Sequence, residues 1–265
     1  MKRSISLYCI LCIIMVQPLL ANDNPLLWPV GEMLTYKVKW AFLRLGTLKL
    51  TVVDTLKINN RRIYHAQINI DSNPVLFFVN QHSVFHSYFD DELNTHLYRS
   101  TEEIEGTTYN TEYRFDYADS VLFIDMTDMN DPEVQIVKQK RFHGRVLDGV
   151  SLLYYARFNS GEARNDTVAF LFAGEPNPAF LEFRGYDGVL NLNGVKNHVK
   201  TVYMEGYIPG KSVAGLSGHF KGWFYRYNHR APVKAQLKVF IGHVNLSLES
   251  WEKCEFVFPA EGDRE

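Results

Sequence analysis

Beyond residue 21 the chain carries a single cysteine, Cys254. Once a leader ending there is removed, no disulfide can form within it, so stability must come from a hydrophobic core. No apolar run reaches the roughly 20 residues a helix needs to span a bilayer; the leading stretch, Ile5 to Val16 with Ser6 inside it, is shorter. No basic block exists either, because 28 Lys plus Arg are spread along the chain against 30 Asp plus Glu. Phosphate backbones are gripped by clustered cations, so no nucleic acid partner is expected. The same dispersion argues against simple charge attraction to an anionic membrane. Internal repeats, low-complexity tracts and linker-like segments are also missing.

What is present starts with a leader. Lys2 and Arg3 precede the apolar run, Gln17-Pro18 follows it, and Leu19-Leu20-Ala21 offers a small residue at a cleavage point. That is the layout of a secretory signal peptide. Cys9 and Cys12 follow Tyr8 and Leu11, not the small residue of a lipid-attachment box, so a lipoprotein is not expected. The expected organisation is a signal peptide over 1–21 and one β-rich domain over 22–265. The expected location is periplasmic or secreted, with cleavage near Ala21; an uncleaved anchor is the alternative. Removing Lys2 and Arg3 leaves 26 basic residues against 30 acids, a net charge of −4.

Most of the remaining chain alternates apolar and polar residues, the period of a strand with one dry face. In LTYKVKWAFLRLGTLKLTVV, the residues Leu34, Tyr36, Val38, Trp40 and Phe42 share a phase that Leu48, Leu50 and Val52 resume after an interruption at Arg44 and Gly46. Turn residues at Asn59-Asn60, Asp90-Asp91, Gly106, Tyr117 to Ser120 and Asn193-Gly194 divide successive runs into antiparallel hairpins. In PVKAQLKVFIGHVNLSLESW the apolar phase moves from odd to even numbers at Gly242, as a β-bulge or a bend between sheets would require. Segments 174–178 and 206–218, rich in Gly and Pro, read as loops. One segment differs: Val150, Leu153, Tyr154 and Phe158 recur at helical spacing between a candidate N-cap, Asp148, and a stop at Asn159-Ser160-Gly161. The expected fold is mainly β, with curved antiparallel sheets, as a half-open barrel or a two-layer sandwich, and one short helix.

Three segments carry a resemblance: GEMLTYKVKWAFLRLGTLKLTV, DGVSLLYYARF and the long C-terminal run from Gly218 to Trp251. Gly31, Glu32, Leu34 and Tyr36, then Gly46 and Thr47, then Asp148, Ser151, Tyr154 and Tyr155, and finally Pro232 and Val233 resemble the bacterial envelope family catalogued as domain of unknown function 3108. The resemblance implies a secreted, largely β protein of Gram-negative type without an established activity. It departs at Tyr227-Asn228-His229, where the family pattern places an acid ahead of the arginine and proline.

The chemistry-bearing residues yield no reaction. His82 and His86 have zinc-helix spacing, but their flanks read as a strand, where four residues span about 13 Å and two rings cannot share an ion. Asp125, Asp128, Asn130, Asp131 and Glu133 lack the glycine and distal glutamate of a calcium loop and read as a solvated turn. Ser151, Ser212 and Ser217 lack a nucleophile elbow. Glu182 and Asp187 are the only acids singled out for test as a hydrolytic pair. No catalytic residue, metal ligand or cofactor is assigned.

The lead that remains is aromatic. Consecutive Trp223, Phe224 and Tyr225 must point to both faces of a sheet, so some of them cover a second layer or line a concave surface. The candidate ligand contacts are Tyr36, Trp40, Phe42, Arg44, Phe183, Arg184, Trp223 and Tyr225, the two arginines serving a headgroup. Three functions follow in order: a non-enzymatic carrier of a lipid or other hydrophobic ligand, an envelope scaffold binding a protein or glycan, and a hydrolase of envelope polymers.

Overall fold

The computed structural model describes residues 28–256 apart from 60, 76–81, 105, 173, 193–197, 210–215, 228 and 240. Eight strands come first: β1 Met33–Trp40, β2 Leu43–Ile58, β3 Arg61–Ser72, β4 His82–Asp90, β5 Thr95–Ile104, β6 Thr107–Asp116, β7 Val121–Asp128 and β8 Gln135–Arg141. The short β9, Val146–Leu147, leads into helix α1, Gly149–Asn159. Six more strands follow: β10 Arg164–Phe172, β11 Glu175–Asn191, β12 His198–Tyr207, β13 Leu216–Tyr225, β14 Pro232–Val239 and β15 His243–Glu252. All fifteen strands form one sheet, ordered 8-7-6-5-4-3-2-1-15-14-13-12-11-10-9. Every pairing is antiparallel except β9 with β10. Two meanders are thus stitched together where β1 pairs with β15.

Such a sheet can bury its apolar face only by curling, and α1 sits inside the curl. The helix touches β3 and β4 on one arm and β9 and β10 on the other. It is buried nearly all round, through Val150, Leu152, Tyr154, Tyr155 and Ala156, although Phe158 is exposed. The second half of strand β10 packs on both faces: half-buried Val168 and Phe170 against the main core, and half-buried Ala169 with buried Leu171 against Phe115, Leu122 and Ile124 of β6 and β7. The far arm therefore laps over the outside of β10, and the Lys140–Glu175 ion pair lies across the same seam. Each large apolar side chain so buried contributes about 1.5–3 kcal/mol.

The hairpins expected at 59–60, 90–91, 106 and 117–120 are all present. The Asn193-Gly194 turn lies outside the described residues, although Asn191 and His198 pair on either side of it. The interruption at Gly242 is neither a bulge nor a bend: it is the turn between two separate strands, β14 and β15. Likewise the first chain reversal falls at Ala41-Phe42, not at Gly46. Gly46 lies within β2, where only glycine fits, since a Cβ would meet the Asp71 carbonyl oxygen at 2.1 Å. Residues 175–178, expected as loop, begin the long strand β11.

The β4–β5 turn is held by Asp90, whose carboxylate accepts the backbone N–H groups of Glu92 and Asn94 and lies 3.0 Å from His96 Nε2. Burial pushes this carboxyl up, but the hydrogen bonds from His96 and Asn94 outweigh it and hold the pKa at about 2. A pKa depressed in the folded state stabilises above the unfolded value and loses that contribution as pH falls through the folded one. The difference amounts to about 2 kcal/mol. Between pH 5 and pH 2, urea titrations should show the native protein losing about 2 kcal/mol more than Asp90→Asn does. Equal losses would remove Asp90 from the acid response.

Candidate ligand-binding cleft

Helix α1 lies across the concave side and is pinned at both ends. At its start Asp148 caps the N–H groups of Val150 and Ser151 while Ser151 Oγ accepts the Asp148 N–H, a reciprocal capping box. The same carboxylate accepts Ser87 Oγ at 2.5 Å and Thr95 Oγ1 at 3.1 Å, which ties the helix to β4 and β5. At its end Arg157 donates to both Glu32 oxygens, at 2.7 and 2.9 Å, and to the His229 carbonyl at 2.9 Å. Both side chains of this ion pair are sealed from solvent.

The helix fills only one end of the curl. Beside it, inward residues such as Leu34, Leu50, Ala66, Phe89, Val233 and Leu248 are buried. Further along the same strands the inward residues are half-buried: Leu48, Ile68, Ile70 and Phe85 on one wall, Phe220, Leu237, Val244 and Leu246 on the other. Register places Trp40, Val244, Leu237, Phe220 and Gly206 in one row across β1, β15, β14, β13 and β12. The Phe220 ring lies over Gly206, where a Cβ would sit 2.1 Å from it. At the rim Trp40 is 37% exposed, Ile241 67% and Phe42 88%. Among the described residues, an apolar mouth thus opens between the arms at the end the helix does not reach.

The opposite end holds a polar knot of Glu32, Arg157, His229 and Cys254, beside a cleft of about 350 Å³ lined also by Trp28, Asn159, Glu162 and Arg230. Glu32, His229 and Cys254 lie close enough together for a metal, yet their geometry suits hydrogen bonding. His229 Nε2 donates to the Glu255 carbonyl at 2.8 Å and Nδ1 accepts the Ala231 N–H at 3.1 Å, so both nitrogens are engaged. Arg157 already neutralises Glu32. Burial pushes the Cys254 thiol up and His229 down, keeping one protonated and the other neutral. A protonated thiol is not a nucleophile. His229 also explains the departure at this turn: its Nδ1 takes the i+2 N–H that an aspartate oxygen takes in an Asx turn.

The eight candidate contacts do not converge. Tyr36, Phe183 and Tyr225 are core residues, and the Tyr36 hydroxyl donates to the Pro232 carbonyl. Trp40 and Phe42 stand at the β1–β2 tip, at the rim of the mouth. Arg44 points to the outer face and bonds Glu249. Arg184 pairs with Glu182. Trp223 faces outward beneath Lys234, while its neighbour Phe224 faces the core, so the aromatic run divides between the two faces. Sequence reasoning passed over the aliphatic lining, Ile68, Ile70, Leu237 and Val244, because an alternating strand gives the same signal for a filled core and an open mouth.

Other groups settle into structural roles. His82 and His86 are on β4; His86 meets His65 across the sheet at 2.9 Å, and burial lowers both of the paired imidazoles. Asp128 caps the N–H groups of Asn130 and Asp131 in the acid-rich turn. On the outer face of β10–β13, Phe180, Tyr207 and His219 stack in a row along a shallow groove of about 450 Å³. The Tyr203 hydroxyl, donating to Glu205 there, holds that carboxyl below its usual range.

The profile of a family described as "Protein of unknown function (DUF3108)" matches residues 35–249. No curated protein matches the chain. Among solved structures, a β-barrel-like DUF1849 protein of Brucella abortus is similar at a TM-score of 0.53 and 8% identity, over 85% of this chain and 98% of that one. A putative exported protein of Bacteroides fragilis, with a YmcC-like fold, gives a TM-score of 0.34 and 10% identity, over 85% and 97% of the two chains. A putative lipoprotein of Parabacteroides distasonis gives 0.30 and 8%, over 84% and 96%. The first likeness shows the shared β-barrel-like fold.

Proposed function

The chain belongs to the DUF3108 family of proteins of unknown function, and from that premise we propose that it is a non-enzymatic envelope protein holding an acyl chain or lipid on the concave face of its sheet. The observation that carries this reading is the half-buried aliphatic lining beyond α1. Its residues lie on strands whose outward positions are mostly polar or charged, so the mouth is the dry side of the sheet that the described residues leave uncovered. Contiguous apolar surface of this kind marks a binding site. An acyl chain burying about ten CH₂ groups would gain roughly 8 kcal/mol, the scale of micromolar binding. Residues 1–27, where the sequence leads one to expect a signal peptide cleaved near Ala21, lie outside the described residues. Export to the periplasm or beyond is part of the proposal. Among the described residues no helix is long and apolar enough to cross a membrane.

Native mass spectrometry of protein purified gently from its own periplasm tests the reading. We expect an added mass of a few hundred daltons that organic extraction removes. A clean apo mass that persists after lipids are added would sink it. A second reading, an envelope scaffold for a glycan or protein, is favoured by the outer aromatic row of Phe180, Tyr207 and His219. The hydrolase reading has less support. Glu205, the carboxyl in this groove with a shifted pKa, is moved downward, whereas a general acid needs an upward shift.

A further inference from the structure

The β1–β2 and β14–β15 turns lie side by side at the mouth, joined where Trp40 Nε1 donates to the Ile241 carbonyl at 2.8 Å. Each tip presents a large apolar side chain to solvent, Phe42 at 88% and Ile241 at 67% exposure. Neither supports the core, and exposing such groups costs free energy unless something covers them. Cations flank the tips: Lys39 and Arg44 on one hairpin and Lys238 on the other.

They continue down the outer face. Lys37 and Lys234 lie in one cross-strand row with Ser247 between them, and Lys39 and Lys221 in the next row with Asn245 and Gln236. Lys49 shares the face on β2, opposite Thr35. Against these seven cations stand Glu205, Glu249 and Glu252, with Asp71 opposite Thr47 on β3, so the collar around the tips stays basic in a chain of net charge −2. The fold gathers what chain order disperses.

We propose that the paired tips dock on an anionic lipid membrane, with Phe42 and Ile241 entering the interface and the basic collar meeting the phosphates. Apolar side chains buried a few ångström below the headgroups, with cations around them, are the pattern of interfacial anchoring. The choice of lipid over an acidic protein rests on the pairing of apolar tips with cations, since charge alone would suit either partner. Docking in this pose turns the mouth of the sheet toward the bilayer. It stands apart from the carrier reading: a protein that docks but takes up no lipid would keep this inference and lose the other.

The test uses the mature protein with vesicles of phosphatidylethanolamine and phosphatidylglycerol, and with neutral phosphatidylcholine vesicles, at low and high salt. Co-sedimentation and a blue shift of tryptophan emission are expected on the anionic vesicles alone, weakened by salt. Phe42→Glu with Ile241→Glu should abolish both signals. Lys39→Glu with Lys238→Glu should weaken binding at least 25-fold, at about fivefold per lysine. Lys57→Glu, at the far end of β2, should change nothing. All these sites are exposed, so circular dichroism should be unaltered. No binding of the native protein to anionic vesicles, or full binding by the tip variant, would overturn the proposal. Retention on a soluble polyanion without vesicle binding would overturn it equally.

Discussion

Replacing Arg157 by methionine is expected to cost about 3–5 kcal/mol, because Glu32 is then left buried and charged with no cation. That is a large share of the roughly 5–15 kcal/mol by which a domain is stable. Glu32 precedes β1 and Arg157 sits in the last turn of α1, 125 residues away, so the pair fastens the helix to the strand that joins the two meanders. The guanidinium also carries the His229 carbonyl, which adds the β13–β14 turn to the same knot. Glu32→Gln with Arg157→Met should recover much of the loss, since the uncompensated charge is gone while the helix still fills the curl. Urea unfolding followed by tryptophan emission measures both. If the double variant were no more stable than Arg157→Met alone, the bidentate geometry and not charge balance would be what matters.

Local features were legible and pairing was not. The period-2 runs in β1 to β7 and the Asp148 cap report on backbone conformation within a few residues, and those elements stand where the sequence put them. The phase change at Gly242 was equally local, yet a bulge, a bend and a hairpin all shift the phase by one residue. Only the pairing of Lys234–Lys238 with His243–Ser247 decides among them. The same limit hid the proposed surfaces. Lys39 and Lys238 lie at opposite ends of the chain and become neighbours through β1, β15 and β14, so a search for basic blocks along the chain does not see the collar on which the docking proposal rests. The aromatic residues drew attention by size, and half of the six candidates, Tyr36, Phe183 and Tyr225, are core; the mouth is lined mainly by Ile, Leu and Val, whose openness is a property of where α1 stops.

Substituting Trp40 would confuse packing with binding, but the mouth offers residues that separate them. Ile70 and Leu237 face inward on opposite walls, are half-buried, and are not among the side chains packed on the main core. Ile70→Glu and Leu237→Glu should therefore alter stability by only about 1 kcal/mol. Each would nonetheless place a carboxylate, with no partner, against any chain occupying the groove, and displacement of a fluorescent acyl probe should weaken by about a hundredfold. Phe220 provides the contrast. Its ring packs on the core over Gly206, so Phe220→Ala should lose both stability and probe affinity. If the two glutamate variants bound the probe as the native protein does, the ligand would have to lie elsewhere, and the outer row of Phe180, Tyr207 and His219 would become the surface to test.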